Sequence, residues 1–320
     1  MSYQRIMVFS GTAGAGIARE VCERLSIHPG ERECGRFSDG EVNVRLGENI
    51  READVFIINP LHPPAENLLE IVLLSDAVRG SSAGRITLVC PYLGYNRQDR
   101  KDRPRVPISA RVISSILSQS GAHRTLLFDL HSEATMGFFD PHIVVDHLYG
   151  SAVSLPYLKG KLVNDFVVAS PDKGGGPRAE AYARRLGQDD YVLFTKSREA
   201  PGKVRKGSVK IIGNVEGKDV LFVDDMIDTG GTVIADAWAA REAGAKNIYV
   251  YATHGLFSGN AVKRLDESPI TEVVVTNTIP HAPEELKTSR VNITTLTIAP
   301  LIAEAIRRIH DGESLSSLIS

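Results

Sequence analysis

The sequence predicts an α/β protein of two similar halves, each a mostly parallel sheet flanked by helices. Three observations carry this. The 320 residues suffice for about two domains of ordinary size. Short, wholly apolar runs recur with the length of strands, and amphipathic helical patterns fall between them. Runs of four to six apolar residues without polar alternation fit strands covered on both faces, where neither side meets water.

Taken in order, the strand-like runs are RIMVFS, DVFIINP, RITLVCP and RTLLFDL in the first half. DFVVASP, YVLFT, DVLFVDD, NIYVYATHG and EVVVTNT follow in the second. Between them a helix is expected over 109–119, with Ser109 as cap, an apolar stripe of Ile113, Ile116 and Leu117, and a stop at Gly121. Another is expected over 232–243, stopped by Gly244. The stretch 140–163 is rich in Pro, Gly and His and interrupts the rhythm, so the domain crossing is placed there. The expected domains are 1–148 and 149–299, with a C-terminal amphipathic helix in 300–320 folding back on the first.

Composition excludes several classes. The chain is 42% hydrophobic and 24% charged, as globular proteins are, which argues against disorder, collagen and coiled coil. With 37 Lys+Arg against 39 Asp+Glu the formal charge is -2, so no global field draws it to nucleic acid or an anionic membrane. No apolar stretch approaches the roughly 20 residues of a membrane helix. The N-terminus lacks the apolar core of a secretory signal, and Cys22, Cys34 and Cys90 form no C-x-x-C pair, so a reducing, cytoplasmic setting is expected.

Three tempting motifs fail. Gly11-Thr-Ala-Gly14-Ala-Gly16 follows a strand, but a dinucleotide frame begun at Gly14 puts Arg19 where close packing needs a small residue. No glycine-lysine pair precedes Ser or Thr as a P-loop requires. His131-Ser-Glu133 lacks the P-C-x-x-C partner of a zinc deaminase.

One motif passes. In DVLFVDDMIDTGGT a buried strand ends in Asp224 and Asp225, and the loop Asp228-Thr229-Gly230-Gly231-Thr232 opens a helix. Backbone N–H groups and threonine hydroxyls at a helix start cradle a phosphate. The acids accept hydrogen bonds from vicinal sugar hydroxyls, and the pair of functions describes a ribose 5-phosphate. The plainer alternative is a strand-to-helix turn whose acids cap the helix. A second feature is the stretch from Arg97 to Arg105, where Arg97, Arg100, Lys101, Arg103 and Arg105 outnumber Asp99 and Asp102. That surplus suits a polyphosphate. His131 and Asp172 each follow a strand, at the carboxyl ends where open α/β sheets bind ligands, and imidazole plus carboxylate can supply part of an Mg²⁺ shell. Lys173-Gly-Gly-Gly176 is a loop able to pack against pyrophosphate. The polar, basic segment after YVLFT, beginning Lys196-Ser-Arg198, reads as a mobile flap.

The D-T-G-G-T motif resembles that of the phosphoribosyltransferases and, more closely, of the ribose-phosphate pyrophosphokinases (PRPP synthetases). Phe37-Ser-Asp39-Gly-Glu41, Arg97-Gln98-Asp99-Arg100-Lys101, Asp129-Leu-His131, Gly137-Phe-Phe139, Ser170-Pro-Asp172 and Lys196-Ser-Arg198 are similar to the synthetase motifs in order and spacing, over nearly the whole chain. The resemblance implies two phosphoribosyltransferase-like domains and an Mg²⁺-dependent enzyme. Its activity would be transfer of the diphosphoryl group of ATP to the 1-hydroxyl of ribose 5-phosphate, giving PRPP and AMP.

For individual residues, the resemblance implies that Arg97, Gln98 and Asp99 hold ATP. Phe37 would stack on adenine, with Asp39 and Glu41 accepting from its amino group, often across a subunit interface of a homo-oligomer. His131 and Asp172 would bind metal, Asp224, Asp225 and residues 228–232 ribose 5-phosphate, and Lys196 and Arg198 would touch the group in flight. Departures occur at Ser132-Glu-Ala-Thr-Met136, where the family is glutamine-rich, at Asn49-Ile-Arg51-Glu52, and at Ser197, where a basic residue is common. The rival expectations are a catalytically silent regulatory subunit and a PRPP-consuming phosphoribosyltransferase.

Overall fold

A computed structural model describes residues 5–163, 165–196 and 209–319. Its elements run β1 (Ile6–Ser10), α1 (Ala15–Leu25), β2 (Arg32–Arg36), β3 (Val42–Leu46), β4 (Asp54–Ile58), α2 (Glu66–Gly80), β5 (Arg85–Cys90), α3 (Ser109–Ser118), β6 (Arg124–Phe128) and β7 (Val144–Leu148). There follow α4 (Ser151–Lys161), β8 (Phe166–Ser170), α5 (Gly176–Arg185), β9 (Tyr191–Lys196), β10 (Val209–Ile212), β11 (Asp219–Ile227), α6 (Gly231–Glu242), β12 (Ile248–Gly255), α7 (Ala261–Asp266), β13 (Glu272–Thr276) and β14 (Asn292–Leu296). The chain ends in α8 (Ala299–Asp311) and α9 (Ser316–Ile319).

The chain divides into two compact units. The first comprises 1–150, 278–280 and 297–320, the second 151–277 and 281–296. The first holds a five-stranded parallel sheet in the order β1-β4-β5-β6-β7, with β2 and β3 paired apart as an antiparallel hairpin. Val55, Ile57 and Leu88 face Ile71, Leu74, Val78, Ile113 and Leu117 of α2 and α3. The alternate residues Val8, Phe56 and Ile58 are equally buried, which is why the four residues of β4 that follow Asp54 are all apolar. The amphipathic α8 packs on α1 within this unit.

The second unit holds seven strands in the order β10-β9-β8-β11-β12-β13-β14, parallel except for β10 against β9. One face packs Phe222, Val220 and Val250 against Val233, Ala237 and Leu265 of α6 and α7. The other packs Val168, Leu221 and Tyr251 against Leu158, Ala179 and Tyr182 of α4 and α5. Each buried Val, Leu or Phe contributes about 1.5–3 kcal/mol relative to exposure. Strand order reverses between β8 and β11, because β8 is followed outward by β9 and β11 by β12 in the opposite direction. That switch leaves a crevice beyond the carboxyl ends of the two strands.

Two details differ from the sequence reading. Ser109 is the first residue of α3 rather than its cap; Ile108 takes that place, and the Ser109 hydroxyl donates to Gln98 Oε1 at 3.2 Å. The strand carrying Asp224 and Asp225 does not end with them but continues to Ile227, because β12 extends beside it and pairs Met226 with His254.

Candidate active site

The crevice in the second unit gathers two loop-to-helix turns. After β8, Ser170 Oγ donates to the Asp172 carbonyl at 2.7 Å, and Gly175 N–H donates to Asp172 Oδ1 at 2.8 Å. These bonds fold Lys173-Gly174-Gly175 tightly into the start of α5 and hold the exposed Asp172 carboxylate through Oδ1. After β11, Gly230 takes the left-handed conformation, φ 70°, before the first turn of α6. A side chain there would be strained, so the Asp228–Gly231 turn depends on glycine. Thr229 and Thr232 are exposed at the helix start, with Gly231 between them half-buried, so hydroxyls and N–H groups of the first turn meet solvent together. Arg264 of α7 donates to the Thr229 carbonyl at 3.0 Å and fixes the turn from behind.

Asp224 is half-buried and Asp225 buried, on one strand, with Asp225 N–H donating to Asp224 Oδ1 at 2.9 Å. Burial, then the neighbouring Asp225 carboxylate, pushes the Asp224 carboxyl well above the usual carboxylate range. Arg178 opposes this from the first turn of α5, its Nη1 lying 3.7 Å from Asp224 Oδ1 and 3.6 Å from Asp225 Oδ1. Arg178 was not singled out from the sequence. The signal was available in its place, two residues into a helix that follows Asp172 and three glycines.

The first unit carries the other expected residues. The loop after β5 is anchored by Leu61 N–H on the Tyr92 carbonyl at 2.8 Å, and a Cβ on Gly94 would stand 2.0 Å from the Leu61 carbonyl oxygen. Only glycine permits that approach. Buried Asn96 accepts from Thr135 Oγ1 at 2.5 Å, Arg97 is exposed, and Gln98 and Asp99 are half-buried. The Gln98 carbonyl accepts from Ala110 N–H at 3.2 Å, seating this loop on the start of α3. His131 is exposed just beyond β6, before a short 3-10 helix, Glu133–Phe138.

Phe37, Asp39 and Glu41 form the tip of the β2–β3 hairpin. Phe37 N–H donates to the Glu41 carbonyl at 2.8 Å, Gly40 N–H to the Phe37 carbonyl at 3.0 Å, and Glu41 N–H to Asp39 Oδ1 at 3.0 Å. The Phe37 side chain is 54% exposed, a flat apolar face presented by a closed turn.

Of the expected catalytic pair, Lys196 closes β9, opposite Val209 of β10, and Arg198 lies outside the described residues. The two expected metal ligands fall in different units, His131 in the first and Asp172 in the second. Among the described residues no three His, Cys, Asp or Glu gather into a metal cluster.

A parallel α/β crevice pairing an acid-rich strand with a glycine-opened helix start defines a protein that binds phosphorylated sugars. Comparison with known proteins narrows this. Residues 6–121 match the N-terminal domain of ribose phosphate pyrophosphokinase, and residues 185–320 the phosphoribosyl synthetase-associated domain. A ribose-phosphate pyrophosphokinase of Shewanella oneidensis is 45% identical over 98% of this chain and 99% of its own. One of Helicobacter pylori is 44% identical over 98% of this chain and 96% of its own. The crystal structure of phosphoribosylpyrophosphate synthetase from Mycobacterium smegmatis superposes with a TM-score of 0.87 at 36% identity, covering 97% of this chain and all of that one. The chain belongs to the ribose-phosphate pyrophosphokinase family.

Proposed function

We infer that the enzyme transfers the diphosphoryl group of ATP to the 1-hydroxyl of ribose 5-phosphate, giving 5-phosphoribosyl 1-diphosphate and AMP. The observation that carries this is the β8–β11 crevice, where a diol-accepting acid pair stands beside a phosphate-cradling helix start. The sugar phosphate would lie on Thr229, Gly230, Gly231 and Thr232, with its 2- and 3-hydroxyls donating to Asp224 and Asp225 and Asp228 flanking the turn. Arg178 would keep the acids oriented. Arg97, Gln98 and Asp99 would hold the ATP phosphates, and Phe37, Asp39 and Glu41 the adenine.

In the reaction the anomeric oxygen attacks the β-phosphorus as the bond to the α-phosphate oxygen breaks, AMP leaves in line, and the hydroxyl proton is released. Such transfers rest on positioning and on cations facing the charged oxygens. Lys196 and Arg198 would serve there. Carboxylate and imidazole donors fit a hard divalent cation that completes its shell with water and phosphate, and Asp172 is an exposed carboxylate held in place through Oδ1. We therefore propose that Asp172 in the second unit and His131 in the first each serve as an Mg²⁺ ligand; a bound cation would supply neutralising charge to the diphosphoryl oxygens. A homo-oligomer in the cytoplasm is the setting we propose. No helix among the described residues is long and apolar enough to cross a membrane.

The test is to incubate pure protein with Mg-ATP and ribose 5-phosphate and follow AMP and PRPP together. Equimolar formation is expected. No AMP above background at any phosphate concentration would mark a silent subunit, and base-dependent loss of added PRPP a transferase.

A further inference from the structure

We propose that Glu70 is a positioning residue for nucleotide binding, acting through Arg36 to aim the β2–β3 hairpin; this rests on the reading of that hairpin as the adenine site.

The hairpin is a separate two-stranded sheet, so it borrows no ladder hydrogen bonds from the parallel sheet of its unit. Two arginines of β2 tie it down. Arg32 donates from Nε to the Ser10 carbonyl at 2.5 Å, and from Nη2 to Ser10 Oγ at 3.1 Å and the Gly11 carbonyl at 3.2 Å. Four residues on, about 13 Å along the strand, Arg36 Nη1 donates to Glu70 Oε1 at 2.9 Å. Val44 and Leu46 of β3 seat the body of the hairpin on the core of the unit, Arg32 ties its base, and Arg36 adds an anchor at the end of β2 nearest the tip. Arg36 directly precedes Phe37, so the second anchor sits at the base of the tip.

Glu70 itself is immovable. It is fully buried in α2, Oε1 also accepts from Thr12 Oγ1 at 3.0 Å, and Oε2 accepts from Thr12 N–H at 2.7 Å. One carboxylate therefore joins the turn after β1, helix α2 and the hairpin. A buried carboxylate costs desolvation free energy, which the arginine and the two Thr12 donors offset. Here the carboxylate oxygen faces the guanidinium of Arg36, the residue directly before the exposed Phe37. Displacements of about 1 Å at a binding group suffice to lose much of its contribution.

Steady-state kinetics with each substrate varied in turn tests this. Glu70→Gln keeps the side chain's length and an acceptor for Thr12 but removes the charge facing Arg36. It should raise KM for ATP about tenfold, leaving KM for ribose 5-phosphate and kcat at saturating ATP within about twofold. Arg36→Gln, at a more exposed position that tolerates change, should do the same. The double variant should be no worse than the worse single one, because both remove one anchor. Unchanged KM for ATP in both single variants, an equal loss in both substrates and kcat, or multiplying effects in the double variant would each overturn the proposal. Phe37→Ala separates this from the reading beneath it. If it leaves KM for ATP unchanged, the adenine assignment falls and the proposal with it. If it raises KM for ATP while Glu70→Gln does not, only the role of Glu70 falls.

Discussion

Asp224 bears an electrostatic cost in the fold that its neighbour Asp225 increases and Arg178 reduces. Its folded-state carboxyl titrates well above the ordinary carboxylate range because burial and Asp225 disfavour the anion. The folded chain then binds more protons than the unfolded chain over that window. Stability contributed by the acid form is present at low pH and is lost as pH rises from 3.8 through the raised folded value. Asp224→Asn keeps an acceptor for Asp225 N–H and removes the repulsion. The ligand-free variant should melt higher than the parent at pH 7 and show a flatter pH dependence through the weak-acid range, by scanning calorimetry at several pH values. On the proposed placement of the sugar hydroxyls at Asp224 and Asp225, it should also lose roughly 10²-fold in turnover, since a carboxylate is replaced by a group that accepts at one oxygen only. The cysteines give a second residue-scale outcome. Burial pushes Cys22 up to about 11 and Cys90 to about 12, and Cys34 is raised as well, so little thiolate exists near pH 8. Native alkylation at that pH, counted by mass, should be slow and confined to the half-buried Cys34; rapid modification of two or three thiols would contradict the burial.

Among elements, the loop after β5 and the 3-10 helix after His131 are joined by one buried hydrogen bond, Thr135 Oγ1 to Asn96 Oδ1. Thr135→Val preserves shape but leaves the Asn96 oxygen unpaired where it is 3% exposed. A loss of about 1–3 kcal/mol in urea unfolding should follow, and, on the proposed role of Arg97 and Gln98 beside Asn96, a raised KM for ATP. A stability unchanged by the substitution would mean that the pair carries nothing. These elements also show which parts of the fold were legible. The central strands β4, β5, β8, β11 and β13 were readable because burial on both faces leaves unbroken apolar runs of three or more residues in each. The hairpin strands RECGR and VNVRL, and NITTL of β14, were not, because an edge or isolated strand keeps polar residues and loses the signal. Asp172, Thr229 and Gly230 were legible as a local string. Arg178, Arg36 and Glu70 were not, since their partners lie 34 or more residues away along the chain.

At the scale of the molecule, a net charge of -2 proved compatible with anionic substrates because charge is distributed unevenly, with the basic loop at 97–105 in one unit and the acid pair in the other. The first unit also draws on both ends of the chain, and its closure rests on a buried ion pair. Arg85, at the start of β5, donates from Nε to Asp54 Oδ1 at 2.8 Å and from Nη2 to Oδ2 at 2.5 Å. The same Nη2 reaches the Ile309 carbonyl of α8 at 2.7 Å, and His310 Nδ1 lies 3.0 Å from Asp54 Oδ2. One arginine thus binds the central strands to a helix 224 residues further along. Arg85→Ala leaves the fully buried Asp54 charge without its bidentate partner and the end of α8 without its donor. The expected cost is about 3–5 kcal/mol, read as a lower urea midpoint together with faster hydrogen exchange in α8. Arg79→Ala supplies the comparison, for its bond to Asp76 joins two exposed side chains one helical turn apart and should cost less than about 1 kcal/mol. If the two variants unfold at the same urea concentration, the Asp54–Arg85 pair does not hold the C-terminal helix, and the apolar stripe of α8 on α1 must suffice alone.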